Sequence, residues 1–218
     1  MKIPLSRLLK RRLHSDIAAL QDEVVDAVYS VLPDAVLHGG TAVWRCHGGN
    51  RFSEDLDFYA RVPNGFEDKL RSALEKRALE ISRFKRTENT VFCKVLGSGT
   101  EVRLEIALRG APNREAATYE RADGSSMGIY SLSAESLIAE KIGAYLDRRF
   151  VRDLYDIYFL TGGGGDFGGM AKECRRFANS AKMPADEKNL RALVYSGIAP
   201  PAKQMLETVL RRFGHEIH

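Results

Sequence analysis

Two hydrophobic periods divide this chain, and their order restricts what it can build. Over residues 5–31 the apolar side chains Leu9, Leu13, Ile17, Leu20, Val24 and Val28 recur at steps of three and four, and Leu32 extends the series. That is the period of a helix burying one face. Beyond a Pro33-Asp34 turn the pattern changes to short apolar or alternating runs at 35–38, 55–60, 81–86, 90–97, 101–108 and 127–132, which predict strands. Gly39-Gly40, Pro63-Asn64-Gly65 and Gly97-Ser98-Gly99-Thr100 punctuate them. Asn64, with Glu67 three residues on, reads as a capping box opening a helix to about Glu80. Residues 109–126 carry no period and read as irregular. Helical spacing returns after Ser133, which caps a helix to about Leu146, and a second helix is expected over 151–160. Two or three more follow, interrupted by Pro184 and Pro200-Pro201. The expectation is an α+β unit over about 31–132 with helices before and after it.

Composition narrows the class. Among 218 residues, 33 Lys and Arg face 29 Asp and Glu, a net charge of +4, and 44% of residues are hydrophobic. A mild positive balance favours a polyanionic partner without deciding one. No run approaches the roughly 20 apolar residues that span a bilayer, and Met1-Lys2-Ile3-Pro4-Leu5 lacks the apolar stretch of a secretory signal. Cys46, Cys93 and Cys174 are odd in number, widely spaced and outside any Cys-x-x-Cys pair. They read as ordinary buried thiols of a reducing, cytoplasmic protein, not as a disulfide framework or a thiolate zinc site. The five histidines, His14, His38, His47, His215 and His218, show no metal-ligand spacing. The glycine-rich stretch from Thr161 to Gly169 reads as a linker.

The chemistry concentrates in two segments. In the first, Gly39-Gly40-Thr41 follows an apolar strand and opens a helix. Glycines there let the backbone approach an anion, and the helix N-terminus offers N–H donors to phosphate, with the Thr41 hydroxyl as another. Asp55 and Asp57 are two apart on a predicted strand, so they share a face while Leu56 and Phe58 enter the core. Paired carboxylates repel, and a divalent cation relieves them; Mg²⁺ takes a few carboxylates plus substrate phosphates. Along 101–108, Glu101, Arg103 and Glu105 share one face, and Glu105 is the candidate third metal ligand. In the second segment Lys141 lies mid-helix, followed by Arg148, Arg149, Arg152, Asp153 and Asp156. Asp153 and Asp156 share a helix face, and Arg152 and Asp156 have the spacing to pair. No nucleophile elbow or Walker-type loop is present.

In this order His38-Gly39-Gly40-Thr41-Ala42, Arg51-x-Ser53-x-Asp55-Leu56-Asp57-Phe58, Lys141 and Arg152-Asp153-Leu154-Tyr155-Asp156 resemble the AbiEii/AbiGii toxin family of nucleotidyltransferases, over roughly residues 35–160. The resemblance implies a nucleotidyltransferase-fold mixed sheet core with N-terminal helices over 1–132 and a C-terminal helical region over 133–218. It implies Mg²⁺ and an NTP as reactants, an RNA such as tRNA as acceptor, and a cognate antitoxin in a type IV toxin–antitoxin or abortive-infection system. Carried over by residue, it makes Gly39, Gly40 and Thr41 nucleotide-phosphate contacts and Asp55 and Asp57 metal ligands, to which the strand reading adds Glu105; Ser53, within the same run, is taken as a further nucleotide contact. Lys141 becomes a triphosphate contact and Asp153 and Asp156 an acidic pair positioning the acceptor or its deprotonation; Arg148 or Arg152 is the further cation available to the triphosphate. Nucleotidyltransferases at large more often show Gly-Ser where this chain has Gly-Gly-Thr, a toxin-like feature, and Val43 stands where the family often has Leu.

The implied reaction is attack of an acceptor hydroxyl on the α-phosphate, with pyrophosphate leaving. Two other readings stay open: transfer to a small molecule or protein, and a non-catalytic nucleotide-binding module.

Overall fold

A computed structural model describes residues 3–164 and 167–214. The expectations placed on His215 and His218, and on Gly165 and Asp166 within the glycine-rich stretch, lie outside the described residues. The chain divides into two compact units, Met1–Cys46 with Phe52–Leu132, and His47–Arg51 with Ser133–His218.

The first unit holds a mixed seven-stranded sheet and four helices, an α+β arrangement. Helices α1 (Leu5–Leu8) and α2 (Arg12–Val31) lead into strand β1 (Val36–His38), helix α3 (Gly39–Arg45), strand β2 (Leu56–Tyr59) and helix α4 (Phe66–Glu75). Strands β3 (Glu80–Arg86), β4 (Thr90–Gly97), β5 (Thr100–Ala107), β6 (Arg114–Glu120) and β7 (Ser126–Leu132) follow. Their order across the sheet is β3-β4-β5-β2-β1-β7-β6. β1 runs antiparallel to β2 and parallel to β7, and β2 runs parallel to β5.

Alternation fixes which face is which. Val91, Cys93, Val95, Val102, Leu104 and Ile106 are buried on one side, where α2 packs on α4 and β5. The intervening residues are exposed or half-buried on the other side. Burying these alternate apolar side chains stabilises the layer by roughly 1.5–3 kcal/mol for each large one.

Three expectations change. The single helix over 5–31 is two, because Leu9 and Arg11 adopt extended backbone. The Asn64 capping box does not form: Gly65, left-handed at φ 70°, is the N-cap of α4, and Glu67 pairs with Arg71 instead. The irregular stretch 109–126 contains β6, an edge strand in which Tyr119 alone is fully buried, so no two-residue period marks it.

The second unit is helical. α5 (Ala134–Arg148), α6 (Val151–Thr161), α7 (Ala171–Ser180), α8 (Leu190–Leu193) and α9 (Ala202–Gly214) surround a core that includes Ile142, Tyr145, Ile157, Phe177, Val209 and Phe213. The Ser133 hydroxyl accepts from the Ser136 N–H and caps α5. Among the described residues no helix is long and apolar enough to cross a membrane.

Candidate active site

The carboxylates of the first unit are placed by strand register. β1 pairs with β2 so that His38 stands opposite Asp57, and β2 pairs with β5 so that Asp57 stands beside Glu105. Leu56 and Phe58 are fully buried, which turns Asp57 to the open face. Asp55 lies just before β2, where Arg103 of β5 donates to its Oδ2 at 2.8 Å. The His38 ring stacks on Tyr59 with centroids 4.0 Å apart, which fixes it as a packing group.

Gly39 connects the strand to the cradle. It adopts φ 71°, a left-handed conformation that side chains resist. A Cβ there would also lie 3.2 Å from the Asp57 Cβ and Cγ and closer still to Oδ2. The glycine is thus required twice, by its own torsion and by the carboxylate beside it. Gly40 and Thr41 are buried in the first turn of α3. The Thr41 hydroxyl donates to the Asp55 main-chain carbonyl, so its proton fixes the loop bearing Asp55 and is not turned to a ligand. The Ser53 and Glu54 carbonyls accept from Gln21 Nε2 at 2.9 and 3.0 Å, which ties the same loop to α2.

The donor set is hard oxygen, which suits Mg²⁺. Among the described residues no group of three or more His, Cys, Asp or Glu is arranged to hold a metal ion. Asp55 and Asp57 fit a cation that takes one or two carboxylates and completes its shell with phosphate oxygens and water. One oxygen of Asp55 is already shared with the Arg103 guanidinium.

The second unit carries a buried charge network. Arg51 donates from Nε and Nη2 to the two oxygens of Asp156 at 2.9 and 2.8 Å. Lys141 Nζ lies 2.9 Å from Asp156 and 3.6 Å from Asp153. Arg148 grips Asp153 through both oxygens at 2.8 and 2.9 Å. Burial pushes the Asp156 carboxyl up, and the Arg51 and Lys141 charges outweigh that and hold it below the ordinary carboxylate range. The Arg51 guanidinium is held above its ordinary value, since Asp156 outweighs the burial that opposes its charge. Asp153 and Asp156 are buried and spent on cations, so the arrangement orients Lys141 and Arg51. Arg152 does not take the expected partner: Asp156 is matched by Arg51 and Lys141, and the Arg152 guanidinium lies over the Phe150 ring at 5.4 Å.

Two residues escaped the sequence reading as participants. Arg51 pairs across 105 positions, a separation no spacing rule reaches, although it stands in the same run as Ser53 and Asp55. Arg103 lies two residues before Glu105 on its own face, and that shared face was its only signal.

A family model described as "Nucleotidyl transferase AbiEii toxin, Type IV TA system" matches residues 29–213. No curated protein matches the chain. Among solved structures, JHP933 from Helicobacter pylori shares 21% identity at a TM-score of 0.66, over 95% of this chain and 93% of that one. MenT4, a nucleotidyltransferase toxin from Mycobacterium tuberculosis, shares 18% identity at a TM-score of 0.62, over 96% of this chain and 87% of that one. ANT(2")-Ia, solved with adenylyl-2"-tobramycin, shares 11% at a TM-score of 0.50, over 75% and 98% of the two chains. At these identities the structures show the shared fold.

Proposed function

The chain belongs to the AbiEii nucleotidyltransferase toxin family of type IV toxin–antitoxin systems, and from that premise we propose that it moves a nucleoside monophosphate from an NTP to a hydroxyl of an RNA acceptor such as tRNA. The acceptor oxygen attacks the α-phosphorus, the bond to the bridging oxygen breaks, pyrophosphate leaves, and the hydroxyl proton passes to the carboxylates of the open face. In this reading residues 1–132 form the catalytic core and 133–218 the helical region, and the protein meets a cognate antitoxin.

Asp55 and Asp57 would hold Mg²⁺, with Glu105 beside Asp57 in register as the further carboxylate assigned to the ion, and the bound cation would neutralise charge on the triphosphate and the attacking oxygen. Gly39 and Gly40 bring backbone N–H groups close to phosphate. Thr41 and Ser53 hold the loop that presents Asp55. Lys141, Arg148 and Arg152 are the cations assigned to the triphosphate, and Asp153 and Asp156 orient the first two. Positioning and charge supply most of the acceleration in such a site.

One observation supports this reading above the rest: Asp57 stands in register between His38 and Glu105, directly beside the Gly39 backbone. A glycine required both by its left-handed torsion and by an adjoining carboxylate suits a phosphate cradle next to a cation-binding acid. Incubation with Mg²⁺, each α-labelled NTP and total RNA tests it. Label in RNA that EDTA abolishes is the expected result; label confined to protein or to a small molecule would move the acceptor.

A further inference from the structure

The same register continues past the carboxylates. Asp57 of β2 stands beside Glu105 of β5, Glu105 opposite Phe92 of β4, and Phe92 opposite Lys85 of β3. A second row runs from Arg103 through Lys94 to Arg83. All of these project from the open face, because their neighbours in sequence on β4 and β5 fill the core. From Asp57 to Lys85 is three strand spacings, about 14 Å.

The rows are not uniform. Near the carboxylates the cations are matched, Arg103 by Asp55 and Lys94 by Glu101. Farther out, Arg83 and Lys85 are exposed, and no ion pair to either occurs among the described residues. The Arg83 guanidinium lies 5.9 Å from the Phe92 ring centre. With Thr87 and Thr90 these three line a groove of about 310 Å³. A half-exposed phenylalanine beside two cations that make no ion pair among the described residues suits a base stacked on its ring with flanking phosphates neutralised. A duplex keeps its bases stacked inside, so an unpaired strand is the polymer that fits.

We propose that the open face of β3, β4 and β5 is the acceptor track, on which Arg83, Lys85 and Phe92 hold a single-stranded RNA segment leading to the Asp57–Glu105 pair. The proposal rests on the transfer reading for what happens at the end of that track. Arg83, Lys85 and Phe92 are positioning residues; none touches the reacting phosphorus.

The test is binding of a fluorescein-labelled single-stranded RNA decamer to the full chain, by anisotropy across a salt series. Wild type, Arg83→Gln/Lys85→Gln, Phe92→Ala, Phe92→Tyr and a distant control, Lys203→Gln, are compared, with NTP binding measured alongside to show that each variant keeps its fold. The double variant is expected to bind about tenfold more weakly near 0.1 M salt, with its log–log salt slope shallower by about 1.4, the loss of two single-strand phosphate contacts. Phe92→Ala should lose about fivefold or more, and Phe92→Tyr should restore it. NTP binding and the Lys203→Gln control should not change. A wild type that does not bind the decamer, variants that bind it with unchanged affinity and slope, or equal competition by an acidic peptide or an RNA duplex would each overturn the proposal. Binding through this face without transfer to any RNA would support the track and overturn the transfer reading, whereas transfer unaffected by the double variant would do the reverse.

Discussion

The backbone of Gly39 runs against the carboxylate of Asp57, so closely that a methyl group on the glycine would fall within 3.2 Å of the Asp57 Cβ and Cγ. Strand pairing creates the approach, since His38 is the register partner of Asp57 and Gly39 follows at the strand end. The positive φ of Gly39 lets the chain turn there into α3. Cradle and acid are therefore one geometric unit.

Gly39→Ala tests that unit. Forcing alanine into the left-handed region costs about 1–3 kcal/mol of stability, read by urea unfolding. The Asp57 side chain must also move, so transfer activity should fall far more than the stability loss explains. A variant as stable and active as wild type would show that the close approach has no role.

Asp156→Ala would leave Arg51 and Lys141 buried without their shared counter-charge. Loss of one member of such a buried set costs about 3–5 kcal/mol. The loss should depend on pH. Asp156 is held below the ordinary carboxylate range by Arg51 and Lys141 against the opposing effect of burial. Its contribution is present in full above the unfolded value, about pH 3.9, and is lost as pH falls through the lower folded value. The stability gap between wild type and Asp156→Ala should therefore be constant near neutrality and narrow below about pH 4. A gap that stays constant into strong acid would contradict the charge assignment.

Much of this was legible in order and period. The alternation through Leu56, Asp57 and Phe58 gives the face on which Asp57 lies, because one buried face dictates the direction of the other. Ser133 declared the start of α5, because its hydroxyl caps locally. β6 stayed hidden because an edge strand with a single fully buried side chain leaves no periodic trace. The Asn64 capping box failed because the left-handed Gly65 took the N-cap position itself. The partners of Asp55 and Asp156 were out of reach, since Arg103 and Arg51 arrive from 48 and 105 positions away. Arg152, four residues from Asp156, was the local guess, and tertiary pairing overrode it.

Burial pushes the Cys46 and Cys93 thiols up to about 12. At pH 8 each would present about a thousandfold less thiolate than an ordinary cysteine. Native protein should resist iodoacetamide at both positions by about that factor and label rapidly in urea. Fast native labelling at either would contradict the burial that raises its thiol.

The central claim is nucleotidyl transfer that depends on Asp57. The most direct measurement follows label from an α-³²P NTP into RNA, with Mg²⁺, for wild type and Asp57→Ala at matched folding. The account predicts label in RNA with the wild type and a fall of at least about 100-fold in the variant, the share of transition-state charge stabilisation lost with the cation site. Equal label with both proteins would contradict it.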